Sequence, residues 1–281
     1  MPSDDALKAE AAPQSGAASA VRRSSDWTSQ RAVVIIGGAL LPLAILGIWW
    51  GVSASGLVPA YRLPTPLAVL NAAGEMVANG TLWQHIGVST QRVLTGFAVG
   101  SLIGLVLGSL IGLSQWASIL FSPLLGAIRA VPSLAWVPLL VMYLGQPFGL
   151  EMPKIVLITI GATFPVMTTL SIALRHVDPN LVELGRAYGL GRLSLLGVVQ
   201  LPAVIPAIVS GLRLALAQSW LFLVAAELLS SSVGLGFILT DSNNNGRVDR
   251  MFLAIILLAV LGKATDALIG VLERWLAKRW G

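Results

Sequence analysis

The sequence predicts an all-α, polytopic membrane protein of about six transmembrane helices, and three observations carry that prediction. Hydrophobic residues make up 56% of the 281 and charged residues only 11%. The mean hydropathy is +0.82, far above that of soluble chains. Uncharged runs extend over 32–61, 93–128, 130–150, 155–174, 193–212 and 214–226, and a helical span needs about 20 such residues. Trimming these runs at turn signals, and adding the apolar stretch near the end, places spans near 32–52, 93–113, 119–143, 155–174, 203–227 and 251–272, a transmembrane domain of residues 32–281.

Residues 1–31, rich in Ala, Ser and charge, cannot bury a core and read as a disordered cytoplasmic tail. A secretory signal would carry its apolar region near the start, so span 1 reads as an uncleaved anchor. Leu63-Pro64-Thr65-Pro66 is an extended piece ending in an N-cap at Thr65 with proline in the first turn. It predicts a short amphipathic helix over 67–77 on the outer surface. Trp83, Gln84 and His85 belong to a second amphipathic stretch leading into span 2. His85 reads as an interfacial residue, because the other histidine, His176, falls on the opposite side and no paired-histidine metal site can form. Without cysteine, disulfides and thiolate metal sites are excluded.

Span 2 carries Gly96, Gly100, Gly104, Gly108 and Gly112 at four-residue spacing. Lipid gives helices no hydrophobic reason to associate, so a small-residue ridge is a packing face, for a helix of the same chain or of a second copy. Span 3 is interrupted by Pro123, Pro132 and Pro138, and span 4 by Pro165. Such prolines free backbone carbonyls and are tolerated where these face protein or a water-filled path. A cavity-lining core and kinks that only optimise packing both fit.

Between spans 4 and 5 lies a polar segment, 178–202. Asp178 is placed to cap a short amphipathic helix with Pro179 in its first turn, presenting Leu181, Leu184, Ala187 and Tyr188 at helical intervals. Gly189 or Gly191 supplies the turn, a second short helix covers 193–200, and Leu201-Pro202 opens the next apolar run with proline where its missing N–H is tolerated. Such an elbow can seat as a knob in a groove of a soluble partner and carry that partner's movement to the span behind it.

Cations set the orientation. Lys8, Arg22, Arg23 and Arg31 precede span 1, Arg175, Arg186 and Arg192 flank or lie in the elbow, and Arg274, Lys278 and Arg279 follow span 6. Fewer lie on the other side: Arg62, Arg92, Lys154, Arg247 and Arg250. Both termini and the elbow are therefore expected in the cytoplasm. The basic balance belongs to these flanks, and no basic stretch with interleaved aromatics points to nucleic acid.

Arg129, Arg213 and Lys263 fall within spans, each roughly 15 Å deep by helical rise, where charge defaults to function or pairing. Lys263 has Asp266 three residues on and can pair locally. Arg129 and Arg213 have no partner in their own helices, and Glu227 is too far along span 5, about 21 Å, to pair with Arg213. They either line an anion path or pair with carbonyls at helix ends. The outer loop 228–250 holds a Ser-rich, Gly-x-Gly piece suited to a gate. It also holds Asp241 to Gly246, which lacks the last acidic ligand of a calcium loop and reads as an exposed turn. The candidate translocation path is thus Arg129, Ser133, Trp136, Arg213, Gln218, Glu227, Ser230 and Ser231.

Glu183, Leu184, Gly185, Gly189, Val199, Leu201 and Pro202 fall on the spacing E-A-A-x3-G-x9-I-x-L-P, which resembles the cytoplasmic coupling signature of ABC-importer permeases. Leu184 and Gly185 depart from its two alanines. Further pieces in order along the chain are Leu63 to Pro66, Gly80 to His85, Arg129 to Ala135, Ala187 to Leu190, Gly211 to Arg213, Ala226-Glu227 and Leu261 to Asp266. They resemble the nitrate, sulfonate and taurine permeases, above all the aliphatic-sulfonate branch, over most of 60–280. The Asn-rich stretch 242–245 differs from the sulfonate branch.

The resemblance implies a type I importer in the bacterial inner membrane: a homodimer of permease copies, two ATP-binding subunits and a periplasmic substrate-binding protein. Glu183, Leu184, Gly185, Arg186, Tyr188, Gly189, Leu201 and Pro202 would couple to the ATPase. The cargo would be a small anion, an aliphatic sulfonate first, with taurine, nitrate, bicarbonate or a sulfate ester as alternatives. No Walker A pattern occurs, so no cofactor is expected in this chain, and ATP and magnesium belong on the partner. An intramembrane enzyme would need facing carboxylates or a Ser/His arrangement at membrane depth, which the sequence does not offer. An ion-coupled secondary transporter remains a distant alternative that would leave the elbow without a purpose.

Overall fold

The computed structural model describes residues 27–280, so most of the expected tail lies outside the described residues, as do the side chains of Ser133, Arg192 and Ser230. By contact the chain divides into two units, 1–49 and 50–281. Helix α1, Trp27–Ala54, is the described part of the first unit, and its last turns belong to the second. Its Leu40, Leu41, Leu43 and Ile48 are exposed, as on a helix whose solvent is lipid.

Among the described residues of the second unit every regular element is helical. Thr65 caps α2, Pro66–Ala78, its hydroxyl accepting from the Ala68 N–H at 3.2 Å, and Pro66 takes the first turn. α2 buries Val69, Ala72 and Met76, the period of a helix with one face covered. After Gly80, whose φ of +70° reverses the chain, α3 runs unbroken over Thr81–Leu113, so the second amphipathic stretch and span 2 are one helix.

The glycine ridge of α3 settles which helix it meets: α6, Glu151–Arg175, of the same chain. A Cβ at Gly96 would fall 2.6 Å from Ile158, at Gly100 2.5 Å from the Thr159 carbonyl oxygen, and at Gly104 2.7 Å from that of Thr163. The two helices run in the same direction at backbone contact, and the Thr163 hydroxyl donates to the Gly100 carbonyl at 3.2 Å. α9, Leu201–Ser230, packs antiparallel on the other side of α6, through Ala162, Val166 and Ala215 and through Leu170, Leu174 and Val204. α11, Val248–Trp280, closes on α9, the Trp220 indole N–H donating to the Thr265 hydroxyl at 3.0 Å.

Span 3 is two helices, α4 (Gln115–Ala130) and α5 (Ser133–Phe148), bent by 101°. The break follows from Pro132, which pushes the preceding residue out of the helical region: Val131 has ψ 124°. Pro123 and Pro138 stay inside their helices. The Asn-rich stretch also differs from expectation, because Asp241 to Asn244 form the last turn of a helix, α10 (Leu235–Asn244), with the reversal at Gly246. Its Ser242 is buried, which composition alone does not reveal.

Among the described residues four stretches are long and apolar enough to cross a membrane, Thr81–Leu113, Glu151–Arg175, Leu193–Leu229 and Val248–Trp275, and the bent α4–α5 pair can make a fifth. α1 lies over the remaining apolar run, its Leu40–Ala54 part a shorter apolar helix, so these four to five stretches are roughly compatible with the expected six. Large apolar side chains such as Leu102, Val106, Ile119 and Val260 stand exposed along them, the outward pattern of a bilayer-embedded bundle.

Candidate functional site

The elbow is built as its residues dictate. α7, Pro179–Ala187, starts from Asp178, whose carboxylate accepts from the Asn180 N–H at 2.9 Å. It ends in a left-handed turn at Gly189, φ +75°, where the Leu190 N–H donates to the Gly185 carbonyl at 3.1 Å and the Gly189 N–H to that of Arg186 at 2.9 Å. This paired closure needs a residue free of the Cβ penalty at Gly189, whereas Gly191 has no positive φ. Gly185 is buried because Leu195 and Val199 fill the room a side chain would take; a Cβ there would meet Leu195 at 2.5 Å.

The other side of the elbow is open. Leu184 is 56% exposed, Tyr188 79% and Leu193 84%, with Glu183 and Arg186 exposed beside them. Behind it, α8 (Arg192–Leu195) passes through a π-helical turn over Leu196–Gln200, the Leu201 N–H donating to the Leu196 carbonyl, straight into α9 at Leu201 and Pro202. The proline has no N–H to give, so a wider turn at this point leaves no donor stranded.

A cleft of about 500 Å³ lies where the α4–α5 break faces α6 and α9. Arg129, Trp136 and Gln218 of the expected path line it, together with Phe164, Thr168 and Phe222, which the sequence reading did not single out. Arg129 sits in the last turn of α4, where a cation complements the helix carbonyls. It is the one charged residue among the described residues lining the cleft. The Thr168 and Thr169 hydroxyls donate to the Phe164 and Pro165 carbonyls at 2.8 and 2.7 Å, so their protons are committed within α6.

Arg213 is held elsewhere. Its guanidinium makes a two-pronged pair with Asp266 of α11, at 2.9 and 3.1 Å, and reaches Glu273 at 3.0 Å. Asp266 also takes Lys263 at 3.3 Å, the local pair that the spacing suggests. Fork geometry of this kind fixes α9 against α11.

Glu227 also stands apart from the cleft, in a buried polar junction at the end of the bundle far from the elbow. Its carboxylate accepts from Arg92 at 2.6 Å, from the Ser89 hydroxyl at 2.8 Å and from the Gly236 N–H at 2.8 Å. Arg92 further donates to Glu151 at 2.7 Å and to the Val233 carbonyl at 2.7 Å, and Lys154 donates to Glu151 at 2.9 Å. Ser231 receives Arg92 at 3.3 Å, and the Gly234 N–H donates to His85 at 2.9 Å. The junction therefore binds α3, α6, α9 and the Gly-x-Gly loop together. Gly234, at φ +137°, lies so close to the Glu227 carboxylate that no side chain fits. His85 also stacks on Phe237, ring centres 6.0 Å apart.

Outside the spans, Glu75 of α2 accepts from Arg247 at 3.0 Å and Arg250 at 3.3 Å. The hydrogen bond from Arg247 holds its carboxyl below the usual value of 4.5. Reciprocally, hydrogen bonds to Asp249 and Glu75 raise the Arg247 guanidinium.

Residues 100–278 match the family described as binding-protein-dependent transport system inner membrane component. The chain is 37% identical over 241 residues to the putative aliphatic sulfonates transport permease protein SsuC of Bacillus subtilis (strain 168), covering 86% of each chain. It is 39% identical over 241 residues to the protein of the same name from Escherichia coli (strain K12), covering 85% of this chain and 90% of that one. With the bicarbonate transport system permease protein CmpB of Synechococcus elongatus it shares 32% over 260 residues, 86% of this chain and 91% of that one. A solved structure of the MetNI methionine ABC transporter in an inward-facing conformation superposes with a TM-score of 0.62 at 20% identity, over 70% of this chain and 96% of that one.

Proposed function

Since the chain belongs to the family of binding-protein-dependent transport system inner membrane components, we propose that it forms the path for a small organic anion, an aliphatic sulfonate, through an ATP-driven importer in the bacterial inner membrane. The observation that carries this reading is mechanical. One continuous helix, α9, leaves the elbow at Leu201 and supplies Leu214, Gln218 and Phe222 to the cleft wall. A push on the exposed knob of Leu184, Tyr188 and Leu193 is therefore a displacement of that wall, transmitted through backbone that is not interrupted.

In this reading the elbow and both termini are cytoplasmic, and Glu183, Leu184, Gly185, Arg186, Tyr188, Gly189, Leu201 and Pro202 serve coupling. Two ATP-binding subunits with their magnesium dock there, a second copy of the permease completes the path, and a periplasmic binding protein delivers the cargo. Arg129 supplies the charge that draws an anion into the cleft, and Gln218 and Trp136 stand beside it. Arg213 and Glu227 serve the path indirectly by fixing α9 at two levels. The names of the similar sulfonate permeases favour a sulfonate; taurine, nitrate, bicarbonate and sulfate esters are the competitors to be tested.

The test is transport in vesicles. The permease with its ATP-binding subunits, given ATP and the binding protein, should accumulate labelled alkanesulfonate, and the permease alone should move none. Uptake by the permease alone would overturn the reading.

A further inference from the structure

We infer that the Phe222 ring, seated on Gly161, forms the end wall of the cleft and sets the length of apolar tail that can follow an anionic head group, making this pair a specificity determinant. The inference rests on the reading of the cleft as the substrate path.

The cleft has an axis. Leu214, Gln218 and Phe222 fall every fourth residue along α9 and line it as a stripe about 12 Å long. α6 runs antiparallel along the same cleft, with Gly161 opposite Phe222 at one end and Thr169 against Gly211 near the other, a Cβ at Gly211 falling 3.2 Å from Thr169. At the first end the packing depends on a missing side chain. A Cβ at Gly161 would lie 2.7, 2.8 and 3.1 Å from carbons of the Phe222 ring, so the ring rests against bare backbone. It also packs on the same buried cluster, Val137, Leu140, Leu157 and Ala226, that carries Trp136. The ring is thus a wall held by three helices, and its position depends on the absence of a methyl group at Gly161.

The chemistry of the lining fits an amphiphilic anion. Arg129 is its one described charge, Gln218 adds one amide, the threonine hydroxyls have their protons committed, and the rest is apolar, with the rings of Trp136, Phe164 and Phe222 among aliphatic side chains. A bare inorganic anion would leave that apolar surface facing water, and a zwitterion would find no carboxylate among the described lining residues for its cationic end. An alkyl tail covers apolar surface and is discriminated by roughly tenfold or more per misfit methylene in a shaped pocket.

The experiment compares uptake of methanesulfonate and hexanesulfonate by the assembled importer in wild type and in Phe222→Trp, Phe222→Ala and Gly161→Ala variants. The binding protein is the same throughout, so its own preference cancels between variants. Phe222→Trp and Gly161→Ala should lower the hexane-to-methane uptake ratio by about tenfold, and Phe222→Ala should raise it. Gly161→Ala combined with Phe222→Ala should bring it back above the Gly161→Ala value. If Gly161→Ala fails to assemble, the two Phe222 variants carry the comparison. A ratio unchanged in both Phe222 variants, with uptake of the two sulfonates altered by one common factor, overturns the inference and leaves the proposed function standing. A wild-type assembly that imports neither sulfonate overturns the proposed function itself.

Discussion

Replacing Arg92 with methionine is expected to destabilise the bundle by about 3–5 kcal/mol, the cost of leaving one partner of a buried ion pair without the other. Arg92 has two carboxylate partners, and their surroundings decide where the loss falls. Glu151 is 57% exposed on its side chain and keeps Lys154 at 2.9 Å, so it is rescued by water and by its second cation. Glu227 has a side-chain exposure of 0% and loses a 2.6 Å contact with nothing to replace it but the Ser89 hydroxyl and the Gly236 N–H. Those two hydrogen bonds set the expectation toward the lower end of the range. At about 2–4 °C per kcal/mol, the midpoint of thermal unfolding in detergent should fall by roughly 6–20 °C. Adding Glu227→Gln should recover part of it, because glutamine retains an acceptor for Ser89 and Gly236 without the charge. A fall under about 2 °C in Arg92→Met, or no recovery in the double variant, would refute the claim that the pair is buried and coupled.

Three further outcomes follow from the geometry. Gly100→Leu must displace the Thr159 backbone, 2.5 Å from where its Cβ would sit, and should abolish recovery of monodisperse protein, while Gly87→Ala in the same helix, with nothing within 4 Å, should leave it unchanged. At Gly189 the neighbourhood is likewise empty and only the φ of +75° restricts the residue, so substrate-stimulated ATP hydrolysis should survive Gly189→Asn, weaken in Gly189→Ala and fail in Gly189→Val. The Glu75 carboxyl is depressed below its usual 4.5 by its hydrogen bond to Arg247; its contribution is therefore complete above that value and is lost as pH falls through the lower folded one. Protection of the α2 amides, taken as the ratio of intrinsic to observed exchange rate at each pH, should be equal at pH 7 and 5 and fall below 4.5, and Glu75→Gln should remove that dependence.

What the sequence disclosed was whatever is written in neighbours. Asp178 and Pro179 start α7, Thr65 and Pro66 start α2, and the α3 glycines from Gly96 to Gly112 share one face, each a few residues of chain from the next. Even the two-fold ambiguity of the elbow turn reduced to a single backbone angle. The sequence was silent about partners that only folding brings together. Arg213 lacked a mate in its own helix because that mate, Asp266, lies on α11. Arg92 and Lys154 read as flanking cations, Glu227 as a path residue and Glu151 as nothing in particular, yet the four neutralise one another in one junction drawn from three helices.

The same distinction explains why the cleft was half legible. Arg129, Trp136 and Gln218 are conspicuous in an apolar chain, as a charge, an indole and an amide at membrane depth. Phe164 and Phe222 are indistinguishable in sequence from lipid-facing phenylalanines, and only the bend at Val131-Pro132 turns that region into a wall of the cleft. The proline was visible as a kink, but a kink's angle depends on what the two halves pack against. Here α5 has α6 and α9 to pack on through Val137 and Leu140, whereas α4 buries none of its residues. Burial on one side of the break and none on the other leaves α4 free to diverge, which opens the space that Arg129 overlooks.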